Sequence, residues 1–174
     1  MAGDTVRINL KTLFFSLIAF IVIVIFSIGA ITNGDPLWFL PIFNATPARI
    51  TIYRNGCVRI LSPGQPEFDN LTQVINQSLT QVEGFSNSFG LSSDSLKDYR
   101  DQQRAVEIYY TEDVTIHTGY RFGHPDSLFI PLDSYFGETR SVFGGHKGDY
   151  WAGALRLKSN DTLQRAVESV PCPP

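Results

Sequence analysis

The chain has 174 residues, 14 Lys and Arg against 17 Asp and Glu, and a formal charge of -3. With no basic cluster, this balance argues against nucleic acid and against an anionic-lipid patch as partner. Hydrophobic residues make up 43% of the chain, and 13 Phe, 7 Tyr and 2 Trp make aromatic packing a large part of any core or interface.

No charge occurs between Lys11 and Asp35, and Leu13 to Ile31 reads LFFSLIAFIVIVIFSIGAI. At about 1.5 Å per residue, roughly 20 apolar residues cross a hydrocarbon core of about 30 Å, so residues 13–32 are expected to span the lipid bilayer as a helix. Arg7 and Lys11 flank the amino side, whereas the carboxyl side has Asp35 and no basic residue before Arg49. That asymmetry predicts a cell-membrane protein whose residues 1–12 are cytoplasmic and whose remainder is extracytoplasmic. A secretory signal peptide is the competing reading, with Ser27 and Gly29 or Ala30 near a cleavage point, but the run exceeds the usual apolar region of about 7–15 residues. Ser16, Ala19, Ser27, Gly29 and Ala30 are small enough to admit another helix, although they form no GxxxG pattern.

Residues 33–47 read as a juxtamembrane linker, because Pro36, Pro41 and Pro47 prevent a long continuation of the helix. Its Trp38, Phe39 and Phe43 suit an aromatic belt at the headgroup level, or a pocket on a partner protein. Residues 48–174 are expected to form one extracytoplasmic domain.

The domain opens on a hairpin, Ala48 to Leu61, turning at Asn55-Gly56. A three-residue loop of Arg54, Asn55 and Gly56 would oppose Ile52 to Val58 and Ile50 to Ile60, gathering four aliphatics on one face. Pro66 starts a helix expected to reach about Glu83 and stop at Gly84, with Phe68, Leu71, Ile75, Leu79 and Val82 as its apolar stripe. Residues 93–104, SDSLKDYRDQQR, suit a short polar helix or a solvated turn. A second hairpin is expected from Ala105 to Thr111 and Val114 to Tyr120, turning at Glu112-Asp113. Ser127 to Leu132 reads as a further strand, with Pro131 at an edge or bulge, and Tyr150 to Leu157 as the last one. Asn160 to Val170 closes the chain as a helix with Leu163, Ala166 and Val170 inward. The fold class is therefore α+β: a transmembrane helix, then an antiparallel sheet with two packed helices on one face.

The residues that bear chemistry match no complete catalytic pattern. Cys57 and Cys172 would pair in an oxidising exterior, although spacing alone does not make them neighbours. His117, His124 and His146 could ligate a metal with Asp126 or Asp149, but their spacings match no compact ligand set, so neither metal nor cofactor is expected. GFSNS around Ser86 lacks the last glycine of a nucleophile elbow. His124 to Ser127 reads as a turn. FGGHKGDYW, Phe143 to Trp151, reads as a long hairpin loop short of a phosphate-binding pattern. Aromatics interleaved with glycines, namely Tyr135, Phe136, Phe143, Tyr150 and Trp151, are candidates for protein contact if they do not pack on the sheet. Asn44, Asn70, Asn76 and Asn160 each begin a glycosylation sequon.

These features favour a non-catalytic, single-pass accessory or assembly subunit that binds integral membrane partners. The alternatives are a cell-envelope enzyme with a histidine and carboxylate site, and a type II surface glycoprotein that binds an extracellular ligand.

Overall fold

A computed structural model describes residues 9–88, 90–133 and 140–172. Helix α1 (Leu10–Asn33) is long and apolar enough to cross a membrane, and none of its residues is buried against the rest of the chain. An N-terminal helix of this kind serves either as an anchor or as a signal sequence. Asn9 caps it by accepting from the Lys11 amide, and Gly34 ends it in the left-handed region at φ 70°.

The remaining described elements are β1 (Arg49–Arg54), β2 (Cys57–Leu61), α2 (Pro66–Leu79), β3 (Val82–Ser86), α3 (Ser93–Gln102), β4 (Arg104–Tyr109), β5 (Ser127–Pro131), β6 (Ser141–His146), β7 (Asp149–Leu157) and α4 (Asp161–Ser169). The strands form one seven-stranded sheet in the order β2-β1-β4-β5-β6-β7-β3, with every pair antiparallel. The protein is thus α+β, as its hydrophobic patterning predicts.

The first hairpin forms, in a different register. Its loop has two residues, Asn55 at φ 49° and Gly56 at φ 84°, and Arg54 pairs with Cys57. Positive φ at both central positions is the turn whose twist matches that of the strands, which favours it over the longer bulged loop. Ile50 consequently opposes Leu61 and Ile52 opposes Arg59, while Val58 and Ile60 share the other face with Tyr53 and Thr51. The sheet tolerates this because β2 is an edge strand, where Val58 and Ile60 stand about half exposed.

Helix α2 stops at Leu79, four residues before the expected end. Val82 does reach the core, but from β3, where it pairs with Leu157; Gly84 lies within that strand opposite Arg156. An apolar residue three positions after Leu79 fits a helical stripe and a strand equally well. The expected second hairpin is replaced by an irregular connection over 110–126, and β4 pairs directly with β5. Tyr110 donates its amide to the Asp126 carbonyl and Val114 donates to that of Pro125. Ile116 and Thr118 are buried as their alternation implies, without a ladder. Strand β5 is central. Pro131 is accommodated because the ladder to β6 extends only from Ser127 to Phe129, so its missing N–H costs no bond there. The expected Phe143–Trp151 loop is the end of β6, a tight turn at Lys147-Gly148 and the start of β7.

Apolar side chains fill both faces of the sheet. On one, Ile50, Ile52, Val106, Ile108, Leu128, Ile130 and Leu155 pack with Phe68, Leu71, Ile75 and Leu79 of α2 and Leu163 and Val167 of α4. On the other, Ala105, Phe129, Phe143 and Ala154 pack with Tyr99 and Leu96 of α3. The expectation of helices on one face alone is therefore corrected: Leu96 and Tyr99 give the otherwise polar α3 a narrow apolar edge that closes the second face. Cys57 and Cys172 form a disulfide with Cα atoms 6.2 Å apart, joining β2 to the segment after α4.

Candidate functional site

The most unusual charged group lies under α3. Val106 and Ile108 on β4 point to the larger core, so Glu107 faces the other way, where the sequence pattern implies solvent; its residue is instead 1% exposed. Tyr53 from β1 donates to Oε2 at 2.6 Å. Tyr109 and Tyr150 each donate to Oε1 at 2.7 Å, and Arg100 from α3 donates to the same oxygen at 2.5 Å. Burial, the largest influence, raises the pKa of this carboxyl, but bonds from Tyr109, Tyr53, Arg100 and Tyr150 together outweigh it and hold the group below its ordinary value. Burial also raises the pKa of the Tyr53, Tyr109 and Tyr150 phenols, and the Glu107 charge adds to the effect. Three donors converge on Oε1 and one reaches Oε2, so the carboxylate is held from both oxygens. Glu107 is thus an organising anion that ties β1, β4, β7 and α3 together.

A second constellation joins α1 to the domain. After Gly34 the chain turns through Asp35, whose Oδ1 accepts the Leu37 amide at 2.8 Å while Oδ2 lies 2.7 Å from His117 Nδ1. Asp35 is buried, so the 110–126 connection is pinned by a polar contact to the foot of the helix. Trp38 folds back onto Gly29: a Cβ there would come within 2.7 Å of the indole. Gly29 therefore seats Trp38, in addition to any part it takes in helix packing. Phe39 completes the patch, edge-on to Phe26 at 5.8 Å and to Trp38 at 6.0 Å, and is half exposed.

A third feature is an open cleft of about 400 Å³ between the 110–126 connection and the end of the sheet. Phe85, Phe122, His124, His146 and Trp151 line it. The Trp151 ring packs edge-on to Phe122 at 6.0 Å and to His146 at 5.7 Å. Gly144 makes the room: a Cβ there would lie 2.5 Å from the Trp151 ring and 2.8 Å from Phe122.

The aromatic residues singled out in the sequence thus separate. Trp38 and Phe39 lie beside the helix foot, whereas Phe43 is buried against Tyr110 at 6.2 Å. Phe143 is buried opposite Phe129, Tyr150 is bound to Glu107, and Trp151 lines the cleft. Tyr135 and Phe136 lie outside the described residues. The histidines also part company: His117 meets Asp35, His124 Nδ1 lies 2.9 Å from Thr115 Oγ1, and His146 neighbours Asp113 and Asp126. Asp149, pairing with His146 across the tight turn, is exposed. Sequence reasoning passed over Glu107, Arg100 and Asp35. Three tyrosines at outward strand positions were the available signal for Glu107, but only the strand order shows that they converge.

No protein-family model and no curated protein matches the chain. Among solved structures, YycH from Bacillus subtilis is similar with a TM-score of 0.47 and 10% identity, over 72% of this chain and 36% of that one. The chain spans about a third of the YycH chain, and the likeness is too loose to carry fold or function across.

Proposed function

We propose that this chain is a non-catalytic, single-pass membrane protein acting as an accessory or assembly subunit of a larger membrane complex. In this reading residues 1–12 are cytoplasmic, 13–32 span the bilayer, 33–47 form the juxtamembrane linker and 48–174 the extracytoplasmic domain. The lack of basic residues between Lys11 and Arg49 supports that orientation.

The observation that carries partner binding is the outward aliphatic row on β2, where Val58 is 47% and Ile60 52% exposed on the strand that ends the described sheet. An edge strand with apolar outward side chains is a template for another strand. The one charge in β2, Arg59, pairs opposite Ile52 and so lies on the other face from Val58 and Ile60. The occupant proposed is an extended, apolar, extracytoplasmic segment of an integral membrane protein held nearby by α1. Trp38 and Phe39, at the foot of α1, would meet lipid headgroups or that same partner.

Purification of the tagged full-length protein from its native membrane in mild detergent tests the reading. Integral partners at fixed stoichiometry are expected, and they should be lost when Val58→Lys and Ile60→Lys are combined. A protein that emerges alone, or a complex indifferent to both lysines, overturns it.

A further inference from the structure

We infer that Asp113, Asp126 and His146 form a binding site for a divalent transition-metal ion, of which zinc is the type. The three come from separate parts of the chain: the connection after β4, the residue before β5, and the end of β6. Backbone bonds hold these parts together. Asp126 donates its amide to the Gly145 carbonyl at 3.1 Å and accepts from the Tyr110 amide at 2.8 Å, while Val114, next to Asp113, donates to the Pro125 carbonyl at 2.8 Å. One donor atom from each of the three side chains lies within 4.8 Å of the others.

The three side chains meet at ion-pair distances, and their spacing also suits a shared ion. His146 Nδ1 stands 3.4 Å from Asp126 Oδ2 and 3.6 Å from Asp113 Oδ1. Both exceed good hydrogen-bond distance. A tetrahedral ion with bonds of about 2.0–2.1 Å places neighbouring donors about 3.3–3.4 Å apart, so the spacing is nearly that of two edges of such a polyhedron. One of the carboxylate ligands is oriented from its far side. Asp126 Oδ1 accepts the Lys147 amide at 2.8 Å, leaving Oδ2 turned towards His146. The His146 ring is braced by Trp151, at the rim of the cleft. An imidazole donor disfavours calcium and magnesium, which prefer all-oxygen shells, and suits zinc and its neighbours. Three protein ligands leave a coordination position for water or a ligand entering the cleft.

Titration calorimetry of the full-length protein in detergent with zinc chloride tests the site. One saturable event is expected. His146→Ala and Asp113→Asn should each weaken it at least about tenfold, while Asp94→Asn, an exposed carboxylate on α3 away from the cluster, should leave it unchanged. Asp113 is more than half exposed, so its substitution separates lost ligation from lost folding. No saturable binding at millimolar zinc, or an affinity indifferent to His146→Ala, overturns the inference.

Discussion

Glu107 shows how one buried residue can organise a sheet face. The folded protein holds its carboxyl below the ordinary value of 4.5, so the unfolded chain binds the proton more tightly. The resulting stability is present above that value and is lost as pH falls through it and beyond. The tyrosines act in the opposite window: Tyr53, Tyr109 and Tyr150 are raised from 10.0, so their contribution is complete below that value and fades as pH climbs past it. Replacing Glu107 with Gln should cost about 2–3 kcal/mol at neutral pH, since bonds to a charged acceptor become bonds to a neutral one. Unfolding of that variant should also depend less on pH below 4.5 than the parent's does; an unchanged acid slope in denaturant titrations would count against the assignment. The identity of this residue was plain in the sequence, but its burial was not. Val106 and Ile108 correctly announced which way Glu107 points, whereas the roof above it is a helix whose composition reads as surface.

At the scale of elements, hydrophobic period located most pieces, and neighbours decided their limits. Helix α4 and β7 fall within a residue or so of their expected bounds, β7 because the tight turn at Lys147-Gly148 sets its start and α4 although Asn160 makes no side-chain cap bond. Helix α2 and β3 share a boundary that Val82 fits from either side, and only pairing with Leu157 resolves it. The Asn55-Gly56 turn was evident; the two-residue loop was passed over because it exposes Val58 and Ile60, a penalty that matters less on an edge strand. The linker after α1 was legible from its prolines and aromatics, but not the contact that fixes it, since Asp35 and His117 meet across 82 positions. It makes a direct prediction. In a Trp151→Phe background, Trp38 becomes the sole tryptophan, and Gly29→Leu should drive its indole off α1, seen as a red shift and greater quenching of fluorescence by a water-soluble quencher. An unchanged spectrum would mean that Trp38 is held by something other than the room left at Gly29.

For the whole molecule, the antiparallel α+β class was legible, and the strand order was not, because it depends on which of several similar apolar strands lie side by side. Removal of residues 1–34 retains Asp35 and its contact with His117, so the remainder should be soluble and folded by circular dichroism and gel filtration. A product that is insoluble without a partner would show that the domain is not independent. The disulfide should matter more than any single side chain. Exchange of Cys57 and Cys172 for serine is expected to lower unfolding stability by about 2–5 kcal/mol, and chemical denaturation with and without reductant measures it.

The same bond determines how the protein would carry load. In the proposed topology, a pull applied between the membrane and residue 172 enters through the linker and β1, reaches Cys57, and leaves through Cys172. The 115 positions separating the two cysteines are bypassed. At about 3.4 Å per extended residue, about 390 Å of chain is withheld from extension. Only the stretch from Gly34 to Cys57 can pay out, to about 80 Å. In an oxidising exterior the domain would behave as a short leash of fixed reach, and reduction would lengthen that reach severalfold.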